Sequence, residues 1–259
     1  MNDSTIPSYI HGRRWRFEWA LPVLFSPRRA FAQIVAADGA VWQTPILILL
    51  LTGLVRTLVA GSLRAAAAAS GEIPLPVGWE WYTPEQQAQF MQAMSATSGP
   101  VFTYLLPAIM TLLGVYLGWL IIGWVLHLVL TLMGGRQSSE QALNITAWAL
   151  LPFAIRDVVR IAAMWSGGQL LTNLGLSGFA PPLDNSWGVY LATLLVYVDI
   201  YLIWHIGLLL VGVSRGDGLG RGKVWTAVLV TILSLYALSA LPALLMAQFE
   251  GLTVIRPFF

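Results

Sequence analysis

Long apolar runs separated by short polar or glycine-rich stretches set the rhythm of this chain. A helix needs about 20 mostly apolar residues to cross roughly 30 Å of hydrocarbon. Five runs meet that requirement, at residues 42 to 64, 103 to 133, 141 to 165, 187 to 213 and 224 to 247. The pattern predicts an all-α fold, an integral membrane helical bundle with five transmembrane helices and an N-terminal interfacial amphipathic segment. It divides the chain into a cytoplasmic N-terminal segment, 1–40, and a five-span membrane domain, 41–259.

The connections carry their own signals. Residues 134 to 139, Gly-Gly-Arg-Gln-Ser-Ser, form a tight turn, and Ser138 with Gln141 makes a capping-box pattern that starts the next helix. Spans two and three are therefore expected as an antiparallel hairpin, and the glycine-rich run 214 to 223 pairs spans four and five in the same way. Thr83-Pro84-Glu85-Gln86 is a second capping box, with Pro84 at the first helical position. It predicts a short surface helix near 84 to 95 that buries Phe90, Met91 and Met94. The stretch 13 to 37 mixes arginines with Trp15, Phe17, Trp19, Phe25, Phe31 and Ile34, and Pro22 and Pro27 interrupt it. Arginines beside aromatics at this density read as one or two helices along the inner leaflet, the alternative being a tail folded on the bundle's inner face. Trp42, Trp187 and Trp225 stand at span entrances as an aromatic belt.

Composition strengthens the membrane reading and removes several chemistries. The chain is 57% hydrophobic and only 10% charged, with a mean hydropathy of +0.72, whereas soluble domains are about 25% charged. It has no cysteine, which excludes disulfides, thiolate metal sites and thiol nucleophiles. A net charge of +2 is too small for a nucleic-acid footprint, so no nucleic-acid partner is expected. The first 20 residues lack an apolar core and hold Arg13, Arg14 and Arg16, so no cleavable signal is expected and the first span serves as the insertion signal.

Basic residues orient the spans. Arg13, Arg14, Arg16, Arg28, Arg29, Arg136, Arg215, Arg221 and Lys223 fall on one side, and only Arg64 and Arg256 on the other, which also carries Glu72, Glu80, Glu85 and Asp184. Positive residues mark the cytoplasmic face. The N-terminus is expected in the cytoplasm and the C-terminus outside, the split that an odd number of spans requires.

Ionisable residues inside the spans are the candidate site: Arg56, Arg156, Asp157, Arg160 and Asp199, with His127 and His205 in the cytoplasmic halves. Each Arg or Asp near the bilayer centre costs about 2.5–3.5 kcal/mol, so leaving four unpaired would cost roughly 10–14 kcal/mol. At 1.5 Å of rise per residue, Arg56, Arg156 and Asp199 fall within about 5 Å of one another in depth. A buried charge cluster follows, with Asp199 paired to Arg156 or to Arg56. Such a cluster can lock helices together or serve as a proton or anion relay; Arg160, nearer the outer interface, can alternatively snorkel. His127 and His205 can face each other, but no acidic partner at helical spacing accompanies either, and no metal or cofactor is expected. Gly114 and Gly118 form a Gly-xxx-Gly step suited to close helix packing within the bundle or to self-association.

The order of several features resembles the bacterial form of the Yip1-type multispanning membrane proteins. They are Ser26-Pro27-Arg28-Arg29-Ala30-Phe31 before span one, Gly134-Gly135 closing span two, and Pro152 inside an amphipathic start of span three. The run Trp204-His205-Ile206-Gly207-Leu208-Leu209-Leu210-Val211-Gly212-Val213 and Gly222-Lys223 complete the set. The resemblance implies five spans and a cytoplasmic N-terminus. Eukaryotic members act in vesicle trafficking and bind small GTPases, but their Asp-Leu-Tyr-Gly-Pro element is absent here, so that role is not implied.

Catalytic patterns occur only as fragments. Gly175-Leu176-Ser177-Gly178 matches the Gly-x-Ser-Gly of rhomboid proteases, yet Pro181-Pro182 breaks any helix there, and His205 is expected about 27 Å from the outer end of its span. Ser214-Arg215-Gly216-Asp217 lacks the first glycine of intramembrane aspartyl proteases. Gly222-Lys223-Val224 lacks the P-loop's first glycine and its magnesium-binding hydroxyl. The expected function is that of a non-enzymatic inner-membrane protein, a scaffold or accessory subunit of another membrane system. The alternative is a small-solute or ion transporter using the charge cluster. Expected partners are the lipid bilayer and another membrane protein or a second copy; the expected location is the bacterial inner membrane.

Overall fold

A computed structural model describes residues 15–70, 79–97, 99–181, 183, 185–216 and 218–250. The expectations placed on Arg13, Arg14, Glu72, Asp184, Asp217 and Arg256 lie outside these residues. The described residues form helices throughout: α1 (Ala20–Phe25), α2 (Pro27–Val35), α3 (Gln43–Ala69), α4 (Pro84–Thr97), α5 (Leu106–Leu132), α6 (Ser139–Ala149), α7 (Leu151–Gly167), α8 (Ser186–Tyr197), α9 (Ile200–Gly216) and α10 (Arg221–Glu250). Four apolar stretches are long enough to cross a membrane: Gln43–Ala69, Val101–Leu132, Ser139–Gly167 and Arg221–Gln248. A fifth is formed if α8 and α9, bent by 63° at their junction, act as one broken span.

The most polar span sits at the centre. Ser139–Gly167 has a mean hydropathy of 1.3, against 2.1 to 2.2 for the other three, yet it is by far the most buried. Lipid accepts apolar side chains as readily as a protein core does, so the helix with polar groups to hide goes inside. α5 is the reverse, turning Met110, Leu117, Ile121, Trp124, Leu128 and Leu132 outward. Spans two and three form the expected hairpin: Gly134 takes a φ of +91°, Gly135 N–H donates to Leu130 O at 2.8 Å, and Gly123 lets Leu143 of α6 approach so closely that a Cβ would lie 2.6 Å from its methyl. The ammonium of Lys223, opening α10, donates to Met133 O at the end of α5, at 2.8 Å.

Prolines shape the interior. Pro107 has no N–H to give the carbonyl four residues back, and Val101–Leu105 widens into a π-turn just before it. Pro152 likewise breaks the third span into α6 and α7 at Leu150.

The N-terminal segment folds onto the bundle, the second of the two arrangements its sequence allowed. Val23, Ala30, Phe31 and Ile34 are fully buried in the same core as α6 and α9, and Phe31 with Ile145 closes over Gly212 of α9. Trp15, Phe17, Leu21 and Phe25 remain exposed on the other side. α6 clips the α2–α3 connection through one face: Gln141 Nε2 donates to Val35 O, Asn144 Nδ2 to Gly39 O, and Trp148 Nε1 to Val41 O, while Asn144 Oδ1 accepts Val41 N–H. Ser138 Oγ still caps Gln141 N–H, but the Gln141 side chain has turned to Val35, so half of that expected capping box is spent on tertiary structure. The Thr83 box closes in both directions, Gln86 N–H to Thr83 Oγ1 and Thr83 N–H to Gln86 Oε1. Met91 was expected to be buried by α4 and is exposed; only Phe90, against Trp79, and Met94 are half-covered. α4 is held by its capping box and by the packing of Phe90 on Trp79.

Candidate functional site: an intramembrane charge cluster beside a cavity

A departure from the expected spans creates the site. Residues 187 to 213 read as one continuous helix, but the chain leaves helical geometry at Val198 (φ −85°, ψ 103°) and restarts at Ile200. Asp199 is the cause at the restart. Its Oδ1 accepts Leu202 N–H at 2.8 Å, the geometry of an N-cap, placed in the middle of an apolar run. The carbonyls freed at the end of α8 are taken by the α7–α8 connection. Leu176 N–H donates to Leu195 O at 2.9 Å and is 3.0 Å from Val198 O. Gly175, at φ +59°, makes this possible, since a Cβ there would lie 2.6–2.8 Å from the carbonyl oxygens of Leu195, Val196 and Val198.

Around this break the ionisable residues meet. Arg156 Nη1 lies 3.4 Å from Asp199 Oδ2, and Arg160 Nη2 lies 3.9 Å from the same oxygen. Arg56 Nε is 3.0 Å from Asp157 Oδ1. Of the two partners considered for Asp199, Arg156 is the one beside it, and Arg160 turns inward as well. The Arg56–Asp157 pair was not foreseen. Its signal was present, because Asp157 follows Arg156 by one residue and so occupies the depth of Arg56. The pairs connect α3 to α7 and α7 to the start of α9. The Arg156 guanidinium also lies 4.4 Å from the centre of the Phe153 ring, whose other neighbour is the ring of His205 at 5.2 Å.

The two histidines do different things in different places. His205 is fully buried, with Nδ1 2.8 Å from Ala149 O, so that nitrogen carries the proton and donates it. Ala149 O is free for it because Phe153 N–H bonds Leu150 O instead, in the tight turn that Pro152 imposes. His127 sits half-buried on α5 against Trp124. It lines a shallow groove made wholly by α5 residues. Gly114 and Gly118 do not bring helices together: a Cβ on either meets nothing within 4 Å. The close approaches use Gly53 of α3 against Thr111 of α5, Gly61 of α3 against Tyr104 in the π-turn before α5, and Gly123 against α6. Spacing alone cannot tell which side of α5 meets a neighbour.

Gly114 and Gly118 instead border a cavity of about 550 Å³ between α3, α5 and α7, which Arg56, Arg64, Arg156 and Asp157 also line. Among the described residues, no group of three or more His, Asp or Glu side chains is placed to hold a metal ion.

The Yip1 domain model matches residues 21–247, nearly the whole chain. The chain belongs to the Yip1 family. No curated protein and no solved structure matches it. The match begins within α1 and ends within α10, so the N-terminal helices that pack on α6 and α9 are part of the Yip1 domain here, as are α8 and α9.

Proposed function

We propose that this Yip1 protein is a non-enzymatic scaffold or accessory subunit of another membrane system, with its N-terminus in the cytoplasm of a bacterial cell and its C-terminus outside. The observation that carries this reading is the pairing of both intramembrane carboxylates with arginines from more than one element. Both intramembrane carboxylates are held by guanidiniums, and the pairs fasten three separate elements instead of forming a file of titratable groups. Charges that satisfy one another inside a bundle fix helix register. The long unpartnered face of α5 supplies apolar surface for lipid or a second membrane protein.

Two measurements test it. Asp157→Asn or Arg56→Gln alone strands one charge and is expected to cost about 2.5–3.5 kcal/mol of stability, while the double neutral variant recovers most of that. Crosslinking in native membranes is expected to give a complex of fixed stoichiometry, and proteoliposomes of the lone chain no solute flux. Flux that disappears in a fully folded Asp199→Asn variant would establish the other reading, a transporter. That reading draws on the broken α8–α9 span, since discontinuous helices often form the binding sites of transporters.

A further inference from the structure

The cavity between α3, α5 and α7 is amphipathic along its length. Its lining on α3, Gly53, Arg56, Thr57, Ala60 and Arg64, follows helical spacing down one face. Pro107 to Ile122 line it on α5, about 22 Å of helix. One end is polar, where Arg56, Arg64, Arg156, Asp157 and Thr111 gather. The other is apolar, closed by Leu49, Val115, Trp119, Ile122 and Leu150. Contacts of α3 with α5 and the π-turn before it, Gly53 to Thr111 and Gly61 to Tyr104, set this polarity, because they place the start of that span beside the end of α3.

Charge is unbalanced at the polar end. Arg56, Arg64, Arg156 and Arg160 face only two carboxylates, Asp157 and Asp199. The surplus is two positive charges, and Arg56, Arg64 and Arg156 line one cavity. Hydrogen bonding is incomplete as well: the Nε–H groups of Arg56 and Arg156 are buried without an acceptor, Arg56 being close to Asp157 but not aligned with it. At the apolar end Gly114 and Gly118 leave open space where side chains would otherwise fill it. A volume of about 550 Å³ lies within the usual range of ligand pockets.

We infer that this cavity holds an anionic phospholipid, its phosphate between Arg56, Arg64 and Arg156 and one acyl chain lying over Gly114 and Gly118 toward Ile122. Phosphate oxygens supply the missing acceptors, and the phosphodiester's single negative charge offsets one of the two surplus positive charges. The acyl chain occupies the apolar half, which a free anion would leave empty. The site does not depend on the scaffold reading and stands or falls separately from it.

The full chain, purified in a neutral detergent, is titrated with dioctanoyl phosphatidylglycerol, dioctanoyl phosphatidylcholine or inorganic phosphate while thermal unfolding is followed. Phosphatidylglycerol is expected to raise Tm saturably, and the other two are not. Arg64→Gln, at an exposed residue, keeps the fold and weakens the apparent affinity about tenfold, as expected for one charged hydrogen bond. Gly114→Leu, built into open space, blocks the acyl chain and abolishes the shift. An equal shift with inorganic phosphate reduces the site to a free-anion site and overturns the inference. An equal shift with phosphatidylcholine, no saturable shift at all, or unchanged affinity in Arg64→Gln overturns it too. If Gly114→Leu fails to fold, the three-ligand comparison and Arg64→Gln decide alone.

Discussion

Single residues in this protein act mainly by satisfying backbone groups that the helices cannot. Gly175 is the clearest case, because it combines a left-handed backbone with three carbonyls inside the space of a missing methyl. Gly175→Ala is expected to lower stability by at least about 1 kcal/mol from the backbone conformation alone, and more from the contacts. Gly178→Ala, whose Cβ would meet nothing nearer than 3.7 Å, is expected to stay within about 0.5 kcal/mol of the parent. Thermal unfolding in detergent compares the two directly. His205 performs a related task for Ala149 O. His205→Leu leaves that buried carbonyl without a donor and is expected to cost about 1–3 kcal/mol, with no change in any metal content. His205 was legible as a buried polar residue but not as the partner of a proline break 56 positions away. That pairing exists only once α9 lies on the α6–α7 junction.

At the scale of elements, α6 joins the N-terminal helices to the membrane bundle. Asn144 makes two of the bonds that hold the α2–α3 connection. Asn144→Leu is expected to cost about 2 kcal/mol and to speed amide exchange at Val41 while leaving the α3–α5 contact unchanged. α4 is held locally instead. Glu85, in its first turn, is kept below the usual carboxylate range by its own backbone N–H and by the Thr83 hydroxyl. A lowered folded value means that the ionised form stabilises the helix start. That contribution is present above the ordinary value of 4.5 and is lost as pH falls through the lowered one. Exchange protection of Gln86 and Gln87, corrected for intrinsic rates, is expected to fall on acidification in the parent and to be flat in Glu85→Gln.

For the molecule as a whole, the bent α8–α9 pair decides the topology. If it crosses once, the loops at 134 to 138 and 218 to 220 lie on the side of the N-terminus, and Thr83 lies on the other. Reporter fusions at those three positions are expected to give that pattern; a fusion after Gly220 on the side of Thr83 would contradict a single broken span. The hydrophobic runs, the glycine turn at Gly134 and the Thr83 cap were readable in the sequence because each depends on neighbours within a few residues. So was the need for midmembrane charges to meet, since an unpaired ion in hydrocarbon is costly wherever it lies. Which ions pair, which glycines touch a neighbouring helix, where the fourth span breaks and whether the N-terminal helices join the core were settled only by the packing of α6 and α7 at the centre. Helical spacing places a residue on a face of its own helix, and only the assembled bundle determines what that face meets.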